Sequence, residues 1–148
     1  MSSRDFTTAI LVDRSPKEAF DAINRPRDWW GKDIEGQTDR AGQEWTYRYK
    51  DIHFSKQRTA ELVPDRKVVW HVVEARMNFL EDKTEWEGTK MIFDIAVKGD
   101  MTEIRFTHAG LVPEVECFDI CKNAWTGLIA DSLRNLVETG EGLPDTVE

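Results

Sequence analysis

CFDICKNAWTGLIADSLRNLVETG, from Cys117 to Gly140, is the stretch on which the fold turns. Cys117, Phe118, Cys121, Ala124, Trp125, Leu128, Ile129, Leu133, Leu136 and Val137 recur at steps of three and four. Asp119, Lys122, Asn123, Asp131, Arg134, Asn135 and Glu138 fall between them. Such spacing gathers the apolar side chains on one face of an amphipathic helix of about six turns. Gly140 is well placed to end it. At 1.5 Å per residue a helix of about 25 residues runs roughly 37 Å, enough to cross a whole sheet. Gly127 costs that helix ~1 kcal/mol relative to Ala, tolerable where a bare backbone is needed for close approach or for space beside a cavity, and explained equally by core packing.

Upstream of this helix the period is two. Trp45, Tyr47 and Tyr49 alternate with Glu44, Thr46 and Arg48, and a second strand runs from near Phe54 to Ala60 and Leu62. Pro64-Asp65 supplies a turn. Val68, Trp70 and Val72 share one face and Val69, His71 and Val73 the other. Met91, Phe93, Ile95 and Val97 precede the two-residue hairpin signal Gly99-Asp100, after which Ile104, Phe106 and His108 share a face. Short turns between consecutive strands imply an antiparallel sheet. At the front, Phe6 to Val12 reads as a strand. Ser15-Pro16-Lys17-Glu18 then opens a short helix by a capping box with Pro at its first position. Pro26 cuts that helix off and starts a second, one-turn helix through Trp30, closed by Gly31. The expectation is an α+β fold in which an antiparallel sheet of six or seven strands meets one long C-terminal helix.

The chain has 148 residues, which suits a single domain spanning 1–148 with its core at about 6–140. Twenty basic residues face 28 acidic ones, a net charge of −8 that repels nucleic acid and anionic membrane surfaces, so neither partner is expected. No apolar run reaches the ~20 residues of a membrane span. Met1-Ser2-Ser3-Arg4-Asp5 lacks the apolar core of a secretory signal. Two cysteines are too few for a disulfide framework, so a reducing cytoplasm is expected. Six tryptophans, seven phenylalanines and two tyrosines leave two readings open, a bulky core or a partly hollow, aromatic-lined interior.

Ser15-Pro16-Lys17-Glu18-Ala19-Phe20, Pro26-Arg27-Asp28-Trp29-Trp30, Ala41-Gly42-Gln43-Glu44-Trp45, Thr107-His108-Ala109-Gly110-Leu111, and Trp125 followed by Ser132-Leu133 occur in that order. With them the chain resembles the family named after the C-terminal domain of the activator of heat shock protein 90 ATPase, in the START-like, Bet v 1-like superfamily. The resemblance implies a helix-grip fold, a curved antiparallel sheet wrapped around the long C-terminal helix. It implies no single function, since that superfamily holds lipid carriers, hormone receptors, cyclases and co-chaperone domains.

On the helix-grip reading, Tyr47, Tyr49, Trp70, Met91, Phe93 and Phe106 lie on the concave face. Cys121, Trp125 and Leu128 meet them from the helix, and Trp29 and Trp30 close one end. These residues, with His108 but without Trp29, form the expected ligand site. His108 ends a strand on the inward face, where it would hydrogen-bond a ligand, act as acid or base, or simply pin the Gly110 turn through a backbone carbonyl. Cys117 and Cys121, four apart, read as small apolar residues of the helix–sheet interface rather than as metal ligands with His108. Glu81-Asp82-Lys83-Thr84-Glu85 reads as a solvated loop. No Gly-x-Ser-x-Gly turn, phosphate-cradling loop or dinucleotide fingerprint is present, so no cofactor or metal is expected. The first expectation is therefore a non-enzymatic binder of a lipid-like or aromatic small molecule. A regulator of a chaperone ATPase and a cavity enzyme (a cyclase or hydratase) using His108 are the alternatives.

Overall fold

In the computed structural model, which describes residues 4–145, the elements follow the expected order. Strand β1 (Phe6–Val12) leads into helices α1 (Pro16–Ile23) and α2 (Pro26–Trp29). Strands β2 (Ile34–Gly36), β3 (Glu44–Tyr49), β4 (His53–Val63), β5 (Lys67–Met77), β6 (Lys90–Lys98) and β7 (Met101–Ala109) follow. They form one curved, fully antiparallel seven-stranded sheet in the order β1-β7-β6-β5-β4-β3-β2. Met1 to Ser3, on which the signal-peptide reading partly rested, lie outside the described residues.

Local chemistry sets the boundaries. Ser15 accepts from the Glu18 amide at 3.1 Å while the Glu18 carboxylate accepts from the Ser15 amide at 3.0 Å, so the α1 capping box forms in full. That hydrogen bonding holds the Glu18 carboxyl below the usual carboxylate range. Gly99 takes φ +60° in the tight turn joining β6 to β7, where Lys98 and Met101 are paired. Gly140, at φ +88°, ends the last helix.

The long helix departs from a uniform spiral. Helix α3 (Phe118–Gly127) passes without a break into a π-helical turn (Leu128–Leu133) and then into α4 (Arg134–Thr139). A widened turn brings an extra residue to the sheet side, and Leu128, Ile129, Ser132 and Leu133 are all buried there. Ser132 is polar yet wholly buried. Its hydroxyl donates to the Trp29 carbonyl at 2.6 Å and accepts from the Leu143 amide at 2.7 Å, clamping the turn to α2 and to the chain after the helix. A Cβ at Gly127 would meet nothing within 4 Å, so that glycine is not required by close approach.

Two irregularities bend the middle of the sheet. The β4–β5 register shifts between Lys56 and Gln57 and again between Thr59 and Glu61. Bulges of this kind add twist and re-aim side chains. Before the second shift β4 turns Ser55, Gln57 and Thr59 inward, all fully buried; after it Leu62 packs on the core.

Candidate functional site

The interior is filled by rings over most of its length. All six tryptophans are at most 4% exposed, which settles the bulky-core reading for the β5–β7 half. There Trp29 stacks on Trp70 with centroids 6.2 Å apart and meets Phe93 edge-on at 5.9 Å. Phe93 packs on Phe106 at 5.0 Å, and Phe106 on Trp125 at 4.6 Å. Trp30 lies between Tyr47, stacked at 4.3 Å, and Trp70, stacked at 6.1 Å. Gly31 permits that stack, since a Cβ there would sit 2.1 Å from Tyr47 Cε1.

At the β3–β5 end, under the first turns of α3, a cavity of about 230 Å³ remains. Tyr47 and Tyr49 of β3, His53 of β4 and Met77 of β5 supply its sheet side. Trp30 closes it from α2, and Cys121, Ala124, Trp125 and Leu128 roof it from the helix. Phe79 and Trp86 enter from the β5–β6 loop. Ile52, Phe79 and Ile120, which also line it, are 40%, 40% and 59% exposed and so mark its mouth.

Six of the expected site residues, Trp30, Tyr47, Tyr49, Cys121, Trp125 and Leu128, are in this wall. The other five, Trp70, Met91, Phe93, Phe106 and His108, face the same interior but are fully buried and lie outside the cavity lining. The rings of Trp29 and Trp125 fill the space that a hollow interior would have left beside Phe93 and Phe106.

His108 is committed to protein partners. Trp125 Nε1–H donates to its Nδ1 at 3.1 Å, which places the ring proton on Nε2. Nε2–H donates to Thr89 Oγ1 at 2.9 Å, and the Thr89 hydroxyl donates to the Trp86 carbonyl at 2.6 Å. Burial, with the neighbouring His53, lowers the His108 pKa to about 3. Both nitrogens are thus occupied, and the acid–base reading loses its residue. The Gly110 turn is closed by the Leu111 amide donating to the His108 backbone carbonyl at 3.0 Å and is held further by Asp5, whose carboxylate accepts from the Gly110 amide at 3.0 Å.

In the loop between β5 and β6, Glu81 to Thr84 are exposed, as expected of a solvated loop, yet the segment is tied to the start of α3. Glu85 accepts from the amides of Glu116 (2.6 Å) and Cys117 (3.0 Å), satisfying donors at the start of α3. In return the Glu116 carboxylate accepts from the amides of Glu81 (3.0 and 3.1 Å) and Asp82 (3.1 Å), and those bonds hold it below the usual carboxylate range. This exchange seats Trp86 inside, where its Nε1–H donates to Cys117 Sγ at 3.4 Å. The hydrogen bond with Cys121, then burial, pushes the Cys117 thiol up. Both cysteines are free and buried, and among the described residues no group of three metal-ligating side chains comes together.

Seven wall residues escaped the sequence reading: Ile52, His53, Met77, Phe79, Trp86, Ile120 and Ala124. One signal was available. Tyr49, His53 and Met77 are direct neighbours across β3, β4 and β5, so extending the β3 phase across the turn would have brought His53 inward. The polar Ser55, Gln57 and Thr59 hid that phase.

A curved antiparallel sheet gripping a C-terminal helix, with an apolar cavity at one end of the grip, makes this a helix-grip fold. Among solved structures it is similar to the Aha1 dimer from Colwellia psychrerythraea, at TM-score 0.75 and 23% identity over 93% of this chain and 98% of that one. It is also similar to SSP2350 from Staphylococcus saprophyticus (TM-score 0.69, 14% identity, 94% and 95% covered). A third is DynU16 of the dynemicin biosynthetic locus (TM-score 0.68, 12% identity, 95% of this chain and 49% of that one). No family model and no curated protein sequence matches the chain.

Proposed function

We propose that this protein binds a small apolar molecule, an aromatic one of one or two rings, in the cavity beneath α3. The observation that carries the reading is the wall itself, built mainly from aromatic and aliphatic side chains with, among the described residues, no Asp, Glu, Lys or Arg. Its volume of about 230 Å³ exceeds the roughly 150 Å³ of an apolar cavity that holds benzene and falls short of the roughly 300 Å³ at which drug-sized sites begin. A compact ring system fits that range better than a long acyl chain. Titrating the protein with indane while following the indole N–H signals of Trp30 and Trp125 tests it. Saturable shifts are expected in the wild type and none in Ala124→Phe, whose ring would occupy the space. Absence of saturable shifts in the wild type overturns the reading.

The exposed trio Ile52, Phe79 and Ile120 favours a second reading, a docking face for a chaperone ATPase of the kind the family resemblance implies. Steady-state ATP turnover of a purified bacterial chaperone of that class, with and without this protein, decides it. An unchanged rate at micromolar excess removes it.

A further inference from the structure

His53 is the one wall residue with an imidazole, and its surroundings fix which nitrogen carries the proton. Nε2 lies 3.1 Å from Ser55 Oγ. Ser55 is fully buried, and its oxygen already accepts from Gln57 Nε2 at 2.5 Å. The Ser55 hydroxyl proton must be donated somewhere, because an unmade donor in the interior is costly. His53 Nε2 is the acceptor in reach. Turning the Gln57 amide over would let Ser55 donate to Gln57 instead, but it would strand a buried NH₂ group in place of one carbonyl oxygen. His53 therefore accepts at Nε2 and holds its proton on Nδ1.

Nδ1–H has no acceptor among the described residues. The ring is held edge-on by Trp30, Tyr47 and Trp86, with centroids 6.4, 4.9 and 4.8 Å away, so it cannot turn freely to find one. The indole N–H of Trp30, in the same wall, is likewise without an acceptor among the described residues. The other two indoles of the wall are spent, Trp86 on Cys117 and Trp125 on His108. Among the described residues the cavity wall thus offers donors and no cation, and Arg48, Lys50 and Arg76 border His53 from a separate, polar depression. A carboxylate inside the cavity would lose its water with no charge to replace it, whereas a neutral carbonyl oxygen would find a ready donor.

We propose that the ligand is an uncharged, flat one- or two-ring compound bearing a carbonyl-type oxygen, which accepts a hydrogen bond from His53 Nδ1–H. This rests on the cavity reading above and adds the polar half of the recognition. The test compares indane with 1-indanone, which share a skeleton and differ by one carbonyl. The wild type should bind 1-indanone roughly tenfold more tightly than indane, as expected for one added buried hydrogen bond. The imidazole nitrogen shifts should report the Nδ1–H form both before and after binding. His53→Phe should bring the two affinities together, and His53→Gln, which keeps a donor, should restore part of the difference. If the wild type binds both compounds equally, or His53 carries its proton on Nε2, the inference falls while the cavity reading stands. If neither compound binds, both fall.

Discussion

Replacing His108 by Gln should remove a large part of the acid sensitivity of this fold. In the folded protein the His108 pKa is lowered to about 3, because burial disfavours its charged form and His53 lies close by. In the unfolded chain a histidine takes its proton near pH 6.5. The unfolded state therefore binds more protons throughout the interval from about 6.5 down to about 3, and stability falls as pH falls through it. Integrating that difference between pH 7 and pH 5 gives a loss of about 2 kcal/mol from His108 alone. For a chain of this size the loss corresponds to a fall of roughly 4 to 8 °C in Tm. Gln at this position can still accept from Trp125 and donate to Thr89, but it has nothing to titrate. Urea unfolding at pH 7 and pH 5 of the wild type and His108→Gln isolates the effect, whatever the substitution costs at neutral pH. The wild type should lose about 2 kcal/mol more than the variant between the two pH values. His53, also lowered to about 3 by burial, and the carboxylates are common to both proteins and largely cancel. Equal losses would refute the claim that His108 is held neutral by its burial.

The remaining expectations concern single contacts. Glu85→Ala leaves the amides of Glu116 and Cys117 without their acceptor, so about 1 kcal/mol should be lost and hydrogen exchange at those two amides should quicken. Trp45→Phe should cost about 1 kcal/mol more than Trp70→Phe in urea unfolding. Trp45 Nε1–H donates to Thr59 at 3.1 Å, while the buried indole N–H of Trp70 has no hydrogen-bond partner among the described residues to lose. Gly31→Ala would drive a methyl into Tyr47, which is locked by its stack on Trp30. A loss of about 1–3 kcal/mol, read as a lowered Tm, is expected.

Much of the fold was legible because it is written in local periods. The α1 capping box, the Gly99-Asp100 hairpin, the stop at Gly140 and the inward sets Trp45/Tyr47, Met91/Phe93 and Ile104/Phe106/His108 each depend on residues a few positions apart. Strand β4 was the exception. Its bulges break the period, and its inward residues Ser55, Gln57 and Thr59 are polar, so neither hydropathy nor alternation marks them. The site was legible by half for a related reason. Which side chains face inward is a matter of period, whereas which of them border empty space depends on how rings from α2 and α3 fill the gap.

Spacing along one chain dictates a sheet, two short helices and one long amphipathic helix, together with the faces by which most of them meet. Three-dimensional packing is what fills one end of the grip with tryptophans and leaves a cavity at the other. It alone committed His108 to Trp125 and Thr89 and left His53 in the wall. Those outcomes depend on volumes and hydrogen-bond partners brought together from strands and helices far apart in sequence, such as Trp86 against Cys117 and Trp29 against Ser132.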